Sequence, residues 1–190
     1  PLISDPGYKL VRDARAAGHA VITIPGPCAA IAALTLAGLP TDRFLFVGFL
    51  PSKAKARAEA IAEFSAIRAT LILYESGPRL GATLAALASG LGDREAAVAR
   101  EISKMFEECV TGTLSSLSRR YADAPPKGEI VIIVSPPIQE AAVTDEAMID
   151  AALRDALSRL PPAKAVGEVS KAMKLDRQEL YARAMALLGK

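Results

Sequence analysis

The chain has 190 residues, of which 51% are hydrophobic and 23% are charged, and its net charge is +2. These values are typical of a globular domain with a small appendage, and they exclude a disordered chain and a polycation. No apolar run approaches the roughly 20 residues needed to cross a bilayer, and no signal-peptide pattern begins the chain. The two cysteines, Cys28 and Cys109, show no metal-ligand spacing, which predicts free thiols, no metal site and a cytoplasmic location.

Helix-like and strand-like segments alternate along residues 1–137. The helical patterns cover residues 6–17, 28–37, 53–67 and 78–88. The strand patterns cover residues 20–24, 44–50, 70–74, 96–102 and 130–134, and residues 106–113 suit a looser strand nearer an edge. Because segments 71–73 and 130–134 are apolar without alternation, we expect an α/β fold with a mixed sheet that is flanked by helices on both faces.

The remainder of the chain has a purely helical pattern. The α/β domain is expected to end at Pro137, and residues 144–190 are expected to form a small all-helical tail. Thr144 or Asp145 can cap the first helix, and Asp176 can cap the last. Two short amphipathic helices joined by a tight turn predict a helix-turn-helix, and a helical hairpin that only packs on the body is the alternative. The expected apolar faces are Ala165, Val169, Ala172 and Met173, followed by Leu180, Ala184, Leu187 and Leu188.

The tail is also the basic part of the chain. Residues 151–190 carry eight Lys or Arg residues against four Asp or Glu residues, which indicates an anionic partner. The apolar face of the last helix turns Arg177, Gln178 and Tyr181 outward, and Lys171 and Lys174 precede the turn. Such a set suits phosphate contacts and stacking on an unpaired RNA base, and a solvated helix face is the alternative. An earlier helix begins with three further cations, Lys53, Lys55 and Arg57. They have the same two interpretations, contacts to RNA phosphates or a solvated helix face.

Several polar motifs lie where strands end, which is where open α/β sheets bind ligands. Pro25-Gly26-Pro27-Cys28-Ala29-Ala30 forms a tight turn into a helix N-terminus whose free N–H groups can bind polar atoms. Tyr74-Glu75-Ser76 places an aromatic ring and a carboxylate at a strand end. Arg100, Glu101 and Lys104 bring three charges to another strand end, either as an internal ion-pair network or as functional groups. Lys127-Gly128-Glu129 precedes the most apolar strand.

Six motifs occur in register along the chain: Ser4-Asp5-Pro6-Gly7-Tyr8, Pro25–Ala30, Gly48-Phe49-Leu50-Pro51, Tyr74-Glu75-Ser76, Ala99-Arg100-Glu101 and Pro125-Pro126-Lys127-Gly128-Glu129. Together they resemble the methyltransferases of the tetrapyrrole methylase superfamily that methylate the 2′-hydroxyl of a cytidine in small-subunit ribosomal RNA. The resemblance extends to the helical tail, which is similar to the helix-turn-helix at the C-terminus of that family.

The resemblance implies two α/β domains that hold S-adenosylmethionine in the cleft between them, and a homodimer. It further implies that an N-terminal domain precedes Pro1, so that the chain as given carries half of the cofactor site and is expected to be inactive alone. The implied cofactor-binding residues are Pro27, Cys28, Ala29, Tyr74, Glu75, Ala99, Arg100, Glu101, Gly128, Glu129 and Ile130. A base or a nearby cation would activate the ribose hydroxyl as a nucleophile. The candidates for this role are Lys104, Glu101 and Arg100.

Two other functions stay open from the sequence. A corrin-precursor methylase of the same superfamily is one, although it has no need of a basic helical tail. A non-catalytic RNA-binding or dimerisation module is the other.

Overall fold

The computed structural model describes residues 1–137, 146–173 and 175–188, and the chain forms two compact units, Pro1–Ile138 and Gln139–Lys190. The first unit contains a sheet of five strands, β1 (Phe44–Phe49), β2 (Thr70–Ser76), β3 (Glu95–Arg100), β4 (Glu108–Thr113) and β5 (Glu129–Val134). Their order across the sheet is β1-β2-β5-β3-β4. Only β1 and β2 run parallel, and the other neighbours are antiparallel. The predictions of a mixed sheet and of an edge position for residues 106–113 are therefore confirmed.

The central position of β5 explains its composition. Residues 130–134 are all buried, because β5 pairs with β2 on one side and with β3 on the other, and helices cover both faces of the sheet. A strand in this position meets apolar groups on both faces, so its sequence shows no alternation. The unbroken run Ile130–Val134 therefore indicates the centre of the sheet.

Five helices belong to the first unit: α1 (Tyr8–Ala16), α2 (Ala29–Leu36), α3 (Ala54–Phe64), α4 (Gly77–Leu91) and α5 (Leu114–Ala122). Helix α2 covers one face of the sheet, where Ala33 and Leu34 pack in a cluster with Ile133. Helices α4 and α5 cover the other face, where Leu84 and Leu117 belong to the larger cluster of buried residues. None of the described helices is long and apolar enough to cross a membrane.

One expectation for the first unit was wrong, and one helix was not predicted. The predicted strand at residues 20–24 is an extended segment that pairs with no strand among the described residues, and Ile22 and Ile24 are 87% and 86% exposed. A strand requires a neighbour for its backbone groups, and this segment has none there. Helix α5 was not predicted, although Leu114, Leu117 and Tyr121 have helical spacing and are buried.

The second unit is helical wherever it is described, as the sequence predicts. It consists of α6 (Glu146–Arg159), α7 (Pro162–Met173) and α8 (Arg177–Leu187). The three helices share one core in which Leu153, Val166 and Leu180 are almost completely buried. The predicted caps Thr144 and Asp145 lie outside the described residues. Asp176 does cap α8, since its Oδ1 accepts hydrogen bonds from the backbone amides of Gln178 and Glu179.

The expected apolar faces of α7 and α8 need two corrections. Ala172 is exposed, and Val166 is buried in its place, because α7 packs against both α6 and α8 and its buried face is rotated accordingly. Leu188 follows the last residue of α8 and is 43% exposed, since it lies beyond the last turn that packs on the core.

Candidate functional site

A pocket of about 410 Å³ opens where β1 and β2 end and β5 begins, beside the first turn of α2. Because β5 is antiparallel to β2, its amino end lies at the same edge of the sheet as the carboxyl end of β2. The lining residues are Ala29, Phe49, Tyr74, Glu75, Ser76, Gly128, Glu129, Ile130 and Val131. The structure therefore brings together six of the residues that were predicted to bind the cofactor: Ala29, Tyr74, Glu75, Gly128, Glu129 and Ile130.

Aromatic rings surround Tyr74 at this edge. The rings of Phe46 and Phe49 meet the Tyr74 ring edge to face, with centroid distances of 5.0 and 5.6 Å. Residues three apart in a regular strand face opposite sides of the sheet. An irregularity between Phe46 and Gly48, where Gly48 has φ +76°, shifts the register and lets both phenylalanines reach Tyr74.

Tyr74 also contacts the start of α2. Burial raises the pKa of Tyr74, and the nearby Cys28 thiol adds to this effect, whereas the backbone amide of Ala30 opposes it. The phenol therefore remains protonated at neutral pH. Cys28 is the extended residue before α2, half-buried beside Tyr74, and Ala29 is exposed at the pocket. Pro27 is exposed in the preceding turn, outside the residues that line the pocket.

The carboxylate of Glu75 is held on the opposite face of the sheet from the Tyr74 ring. Its Oε1 accepts a hydrogen bond of 2.8 Å from the backbone amide of Ser76, and its Oε2 accepts one of 2.6 Å from the Thr83 hydroxyl. The guanidinium of Arg79 lies 3.3 Å from Oε2. The Glu75 side chain is 1% exposed, so its oxygens are used within the protein and anchor the start of α4 to β2.

Ala99 and Arg100 also project to opposite faces. Ala99 and Tyr74 both pair with Val131 of β5, so these three residues form one row across the sheet on the face covered by α2. Arg100 lies in the next row, where its guanidinium is 3.4 Å from the carboxylate of Glu108. It also donates a hydrogen bond of 3.4 Å to the backbone carbonyl of Lys127. Arg100 is thus an ion-pair partner that supports the loop before β5.

Glu101 holds the same loop against the end of β3. Its Oε1 accepts a hydrogen bond of 3.0 Å from the backbone amide of Glu129, while its own amide donates to the Glu129 carbonyl at 3.1 Å. Gly128 has φ +103°, and a Cβ there would overlap the Glu101 carboxylate. Glu101 itself has φ +51°, which few non-glycine residues adopt. The Glu101 side chain therefore shapes the wall of the pocket through Gly128 and Glu129.

Lys104 completes this cluster. Its ammonium lies 2.8 Å from Glu129 Oε2 and 3.1 Å from Glu101 Oε1. Hydrogen bonds to Glu129 and Glu101 raise the pKa of Lys104, and the Glu129 amide together with Lys104 lowers the pKa of Glu101. Lys104 is therefore a cation at neutral pH and Glu101 a weakly basic carboxylate. Of the three candidate catalytic groups, Lys104 and Glu101 pair with each other, whereas Arg100 faces Glu108.

Three pocket residues were not predicted from the sequence: Phe49, Ser76 and Val131. Phe49 and Ser76 belong to motifs at strand ends that the sequence displays. Val131 could have been found by alternation, because it lies on the same face as Tyr74 and Ala99. The pocket position of Phe49, in contrast, depends on the irregularity at Gly48, which no sequence pattern indicated.

The cations that the sequence predicts to contact RNA lie in both units. Lys53 and Lys55 are exposed at the start of α3, and Arg57 is half-buried and donates to the Ser52 carbonyl at 3.4 Å. In the second unit, Arg177, Gln178 and Tyr181 are exposed, as predicted, and Lys171 is exposed as well. Lys174 lies outside the described residues.

Comparison with known proteins agrees with the fold. The family model for "Tetrapyrrole (Corrin/Porphyrin) Methylases" matches residues 1–118, and that for "RsmI C-terminal HTH domain" matches residues 143–188. Among solved structures, the methyltransferase CobJ is similar in fold, with a TM-score of 0.50 and 17% identity over 67% of this chain and 55% of that chain.

Curated relatives are considerably more similar in sequence. The "Ribosomal RNA small subunit methyltransferase I" of Erythrobacter litoralis is 54% identical over 177 residues, which cover 93% of this chain and 62% of the relative. The protein of that name from Mesorhizobium japonicum is 47% identical over 189 residues, which cover 98% of this chain and 64% of the relative. The chain thus spans a little under two thirds of the length of these relatives. Since the family model matches well over half of the chain, the protein belongs to the tetrapyrrole methylase family.

Proposed function

We propose that this chain carries one side of an S-adenosylmethionine site and acts in the 2′-O-methylation of a cytidine ribose in small-subunit ribosomal RNA, in the cytoplasm. In this proposal residues 1–137 are the methyltransferase C-terminal domain and residues 144–190 are the helix-turn-helix domain. The observation that carries the proposal is the pocket at the ends of β1 and β2. The names of the curated relatives support ribosomal RNA as the substrate.

The lining of the pocket suits part of an adenosyl sulfonium ligand. Ala29 and Gly128 are small, so a flat ring can approach the backbone there, and Phe49 and Tyr74 provide apolar surface for it. The first N–H groups of α2 lie at the same edge and can bind polar ligand atoms. S-adenosylmethionine would supply an electrophilic methyl group in this site.

The residues of this chain contribute mainly positioning. Methyl transfer requires the attacking oxygen to be aligned with the methyl carbon, so the walls that orient the two reactants matter most. Glu101 fixes the wall at Gly128 and Glu129 through its hydrogen bond to the Glu129 amide. Lys104 is protonated, so it would lower the pKa of a nearby hydroxyl as a cation and would not accept its proton.

RNA is favoured over a tetrapyrrole substrate by the second unit. A helix-turn-helix domain with an excess of basic residues has no role in binding a small corrin precursor, whereas it suits a polyanion. A homodimer belongs to the same proposal. Leu10, Ile22, Met105 and Phe106 of the first unit are exposed, and an interface would cover such apolar side chains. A clean monomer in light scattering at high micromolar concentration would contradict the dimer.

Ligand-detected NMR tests the cofactor site, because saturation-transfer difference spectra report weak binding. We expect S-adenosylmethionine signals in the presence of the chain, and we expect Ala29→Trp to abolish them because the indole fills the pocket. Leu36→Trp is the matched control, since Leu36 is exposed at the other end of α2. Equal signals from both variants would show that the pocket is not the cofactor site.

A further inference from the structure

Ion pairs divide the cations of the second unit into two groups. Three arginines are paired with acids: Arg154 lies 3.8 Å from Asp150, Arg159 lies 2.6 Å from Asp155, and Arg183 bridges to Asp150 and Glu146. Lys164, Lys171 and Arg177 form no ion pair among the described residues of this unit. Their charge is therefore available to an outside partner.

These three cations lie together on α7 and α8. Lys164 and Lys171 are seven residues apart, so they project from the same face of α7 about 10 Å from each other. Gly167 lies between them on this face. The guanidinium of Arg177 lies over Gly167, with Nη2 3.7 Å from the position of a Cβ there, and it donates to the Ala163 carbonyl at 3.3 Å. We call Lys164, Arg177 and Lys171 the cationic stripe.

The acids near the stripe have other partners or form no ion pair with it among the described residues. Glu168 is the acidic residue of α7, and its carboxylate lies 3.3 Å from Arg159. Asp176 uses its Oδ1 to cap α8. Neither carboxylate, nor that of Glu179 in the first turn of α8, forms an ion pair with the stripe among the described residues, so the three cations can contact phosphates directly.

An aromatic side chain adjoins the stripe. Tyr181 follows Arg177 by one turn of α8 and is 46% exposed. Together with Arg177, Gln178 and Ala182 it lines a shallow depression in the surface. A row of cations beside an exposed ring and an amide combines the two features by which proteins bind single-stranded nucleic acid: phosphate neutralisation and base stacking.

We propose that the cationic stripe binds the phosphate backbone of a single-stranded RNA segment and that an unstacked base of this segment packs on Tyr181. The inference deepens the proposed function and rests on it, because it identifies the surface that holds the RNA substrate. An acidic protein would also be attracted by the stripe, but it would not need an exposed ring beside it.

Matched double variants of the 190-residue chain test the phosphate contacts. Lys164→Gln with Lys171→Gln removes two unpaired cations, and Arg154→Gln with Arg159→Gln removes two paired ones, so the change in net charge is the same. Binding of a short fluorescein-labelled single-stranded RNA is measured by anisotropy over a series of salt concentrations. We expect the first double variant to flatten the slope of log K against log salt by about 1.4, and the second to leave it almost unchanged.

Substitutions of Tyr181 test the stacking. Tyr181→Ala should weaken binding of the single strand by about tenfold, whereas Tyr181→Phe should retain it, because the ring and not the hydroxyl makes the contact. The same RNA annealed into a duplex should be insensitive to both changes. Circular dichroism confirms that each variant is folded.

Two outcomes would overturn the proposal. Equal salt slopes for the two double variants would show that general charge, and not the stripe, attracts RNA. Undiminished RNA binding by Tyr181→Ala would show that no base packs on this ring. The stripe would then be a surface for any polyanion. Neither result contradicts the proposed cofactor site as long as S-adenosylmethionine still gives saturation-transfer signals with the chain. The two proposals can therefore fail independently.

Discussion

Gly128 and Glu101 depend on each other at the level of single residues. The backbone of Gly128 has φ +103°, and the carboxylate of Glu101 occupies the space that a side chain at residue 128 would need. In return, the loop at Gly128 presents the Glu129 amide to the Glu101 carboxylate at 3.0 Å. A substitution at either position therefore changes the wall of the pocket as well as the stability of the unit.

We expect Gly128→Ala to lower the free energy of unfolding by about 2–4 kcal/mol, as backbone strain and overlap with Glu101 add to each other. Gly92→Ala is the matched control, because Gly92 has φ +81° and nothing within 4 Å of the added Cβ. Gly92→Ala should cost only the backbone strain, about 1–3 kcal/mol. Urea denaturation measures both, and equal losses would contradict the contact with Glu101.

The buried carboxylate of Glu75 supports a second prediction. Thr83→Val removes the hydroxyl that donates to Oε2 at 2.6 Å and leaves a buried acceptor with one partner fewer. We expect a loss of about 1–3 kcal/mol in the free energy of unfolding. Thr83→Ser keeps the hydroxyl and should lose clearly less. If the two variants were equally stable in urea, the hydrogen bond would not matter.

Much of the candidate site could be predicted from the sequence because its motifs stand at strand ends. Tyr74 and Gly128 were found in this way. The different roles of Tyr74 and Glu75 were not, although strand alternation alone places neighbours on opposite faces. An ion-pair network of Arg100, Glu101 and Lys104 was one of the two interpretations of the sequence, and Glu101 does pair with Lys104. The packing of Glu101 against Gly128 could not be predicted, since it depends on the positive φ of Glu101 and on contacts between distant segments.

Among the elements, α8 has the clearest local determinant. Asp176 accepts two backbone hydrogen bonds at its first turn, and a carboxylate there also interacts favourably with the helix dipole. Asp176→Ala should destabilise the helical unit by about 1 kcal/mol, and Asp176→Asn, which keeps the acceptor, should cost less. Chemical denaturation followed by circular dichroism measures the difference. A fully stable Asp176→Ala variant would contradict this role.

The elements also show where sequence patterns fail. Residues 20–24 are as apolar as a strand, but a strand exists only when a neighbour pairs with it, and pairing is not a local property. Helix α5 shows the opposite case, because tertiary burial of Leu114, Leu117 and Tyr121 overrides the turn-forming preference of its serines. Central strands such as β5 are the easiest to predict, since burial on both faces leaves a continuous apolar run.

At the scale of the whole molecule, both units contain carboxylates whose pKa is lowered in the folded state. The backbone amide of Ser115 lowers the pKa of Asp93, the Glu129 amide lowers that of Glu101, and Arg183 lowers that of Asp150. A group whose pKa falls on folding contributes stability above its unfolded pKa, and this contribution is lost as the pH falls through the folded value. Acidification should therefore weaken both units.

We expect the free energy of unfolding of the helical unit to decrease as the pH falls below about 4, the ordinary value for aspartate. Asp150→Asn should make this decrease shallower and should lower stability at neutral pH, because Arg183 and Arg154 both lose the charge of Asp150, although Arg183 keeps Glu146. Asp42→Asn changes an exposed carboxylate with no ion pair among the described residues and serves as the control. Denaturation at several pH values gives the slopes, and identical slopes for the two variants would contradict the prediction.

The strand order has a consequence for biosynthesis. β5 is the last of the five described strands to leave the ribosome, yet it is the one that joins the pair β1–β2 to the pair β3–β4. Until Val134 has emerged, the nascent chain holds two separate ribbons with open edges that can recruit other chains. We expect a chain that ends at Gly128 to bind clearly more of a dye for exposed apolar surface than one that ends at Pro137. Because the chain is synthesised from its N-terminus, the sheet closes only when β5 is inserted between β2 and β3. The wall of the pocket is assembled in the same late step.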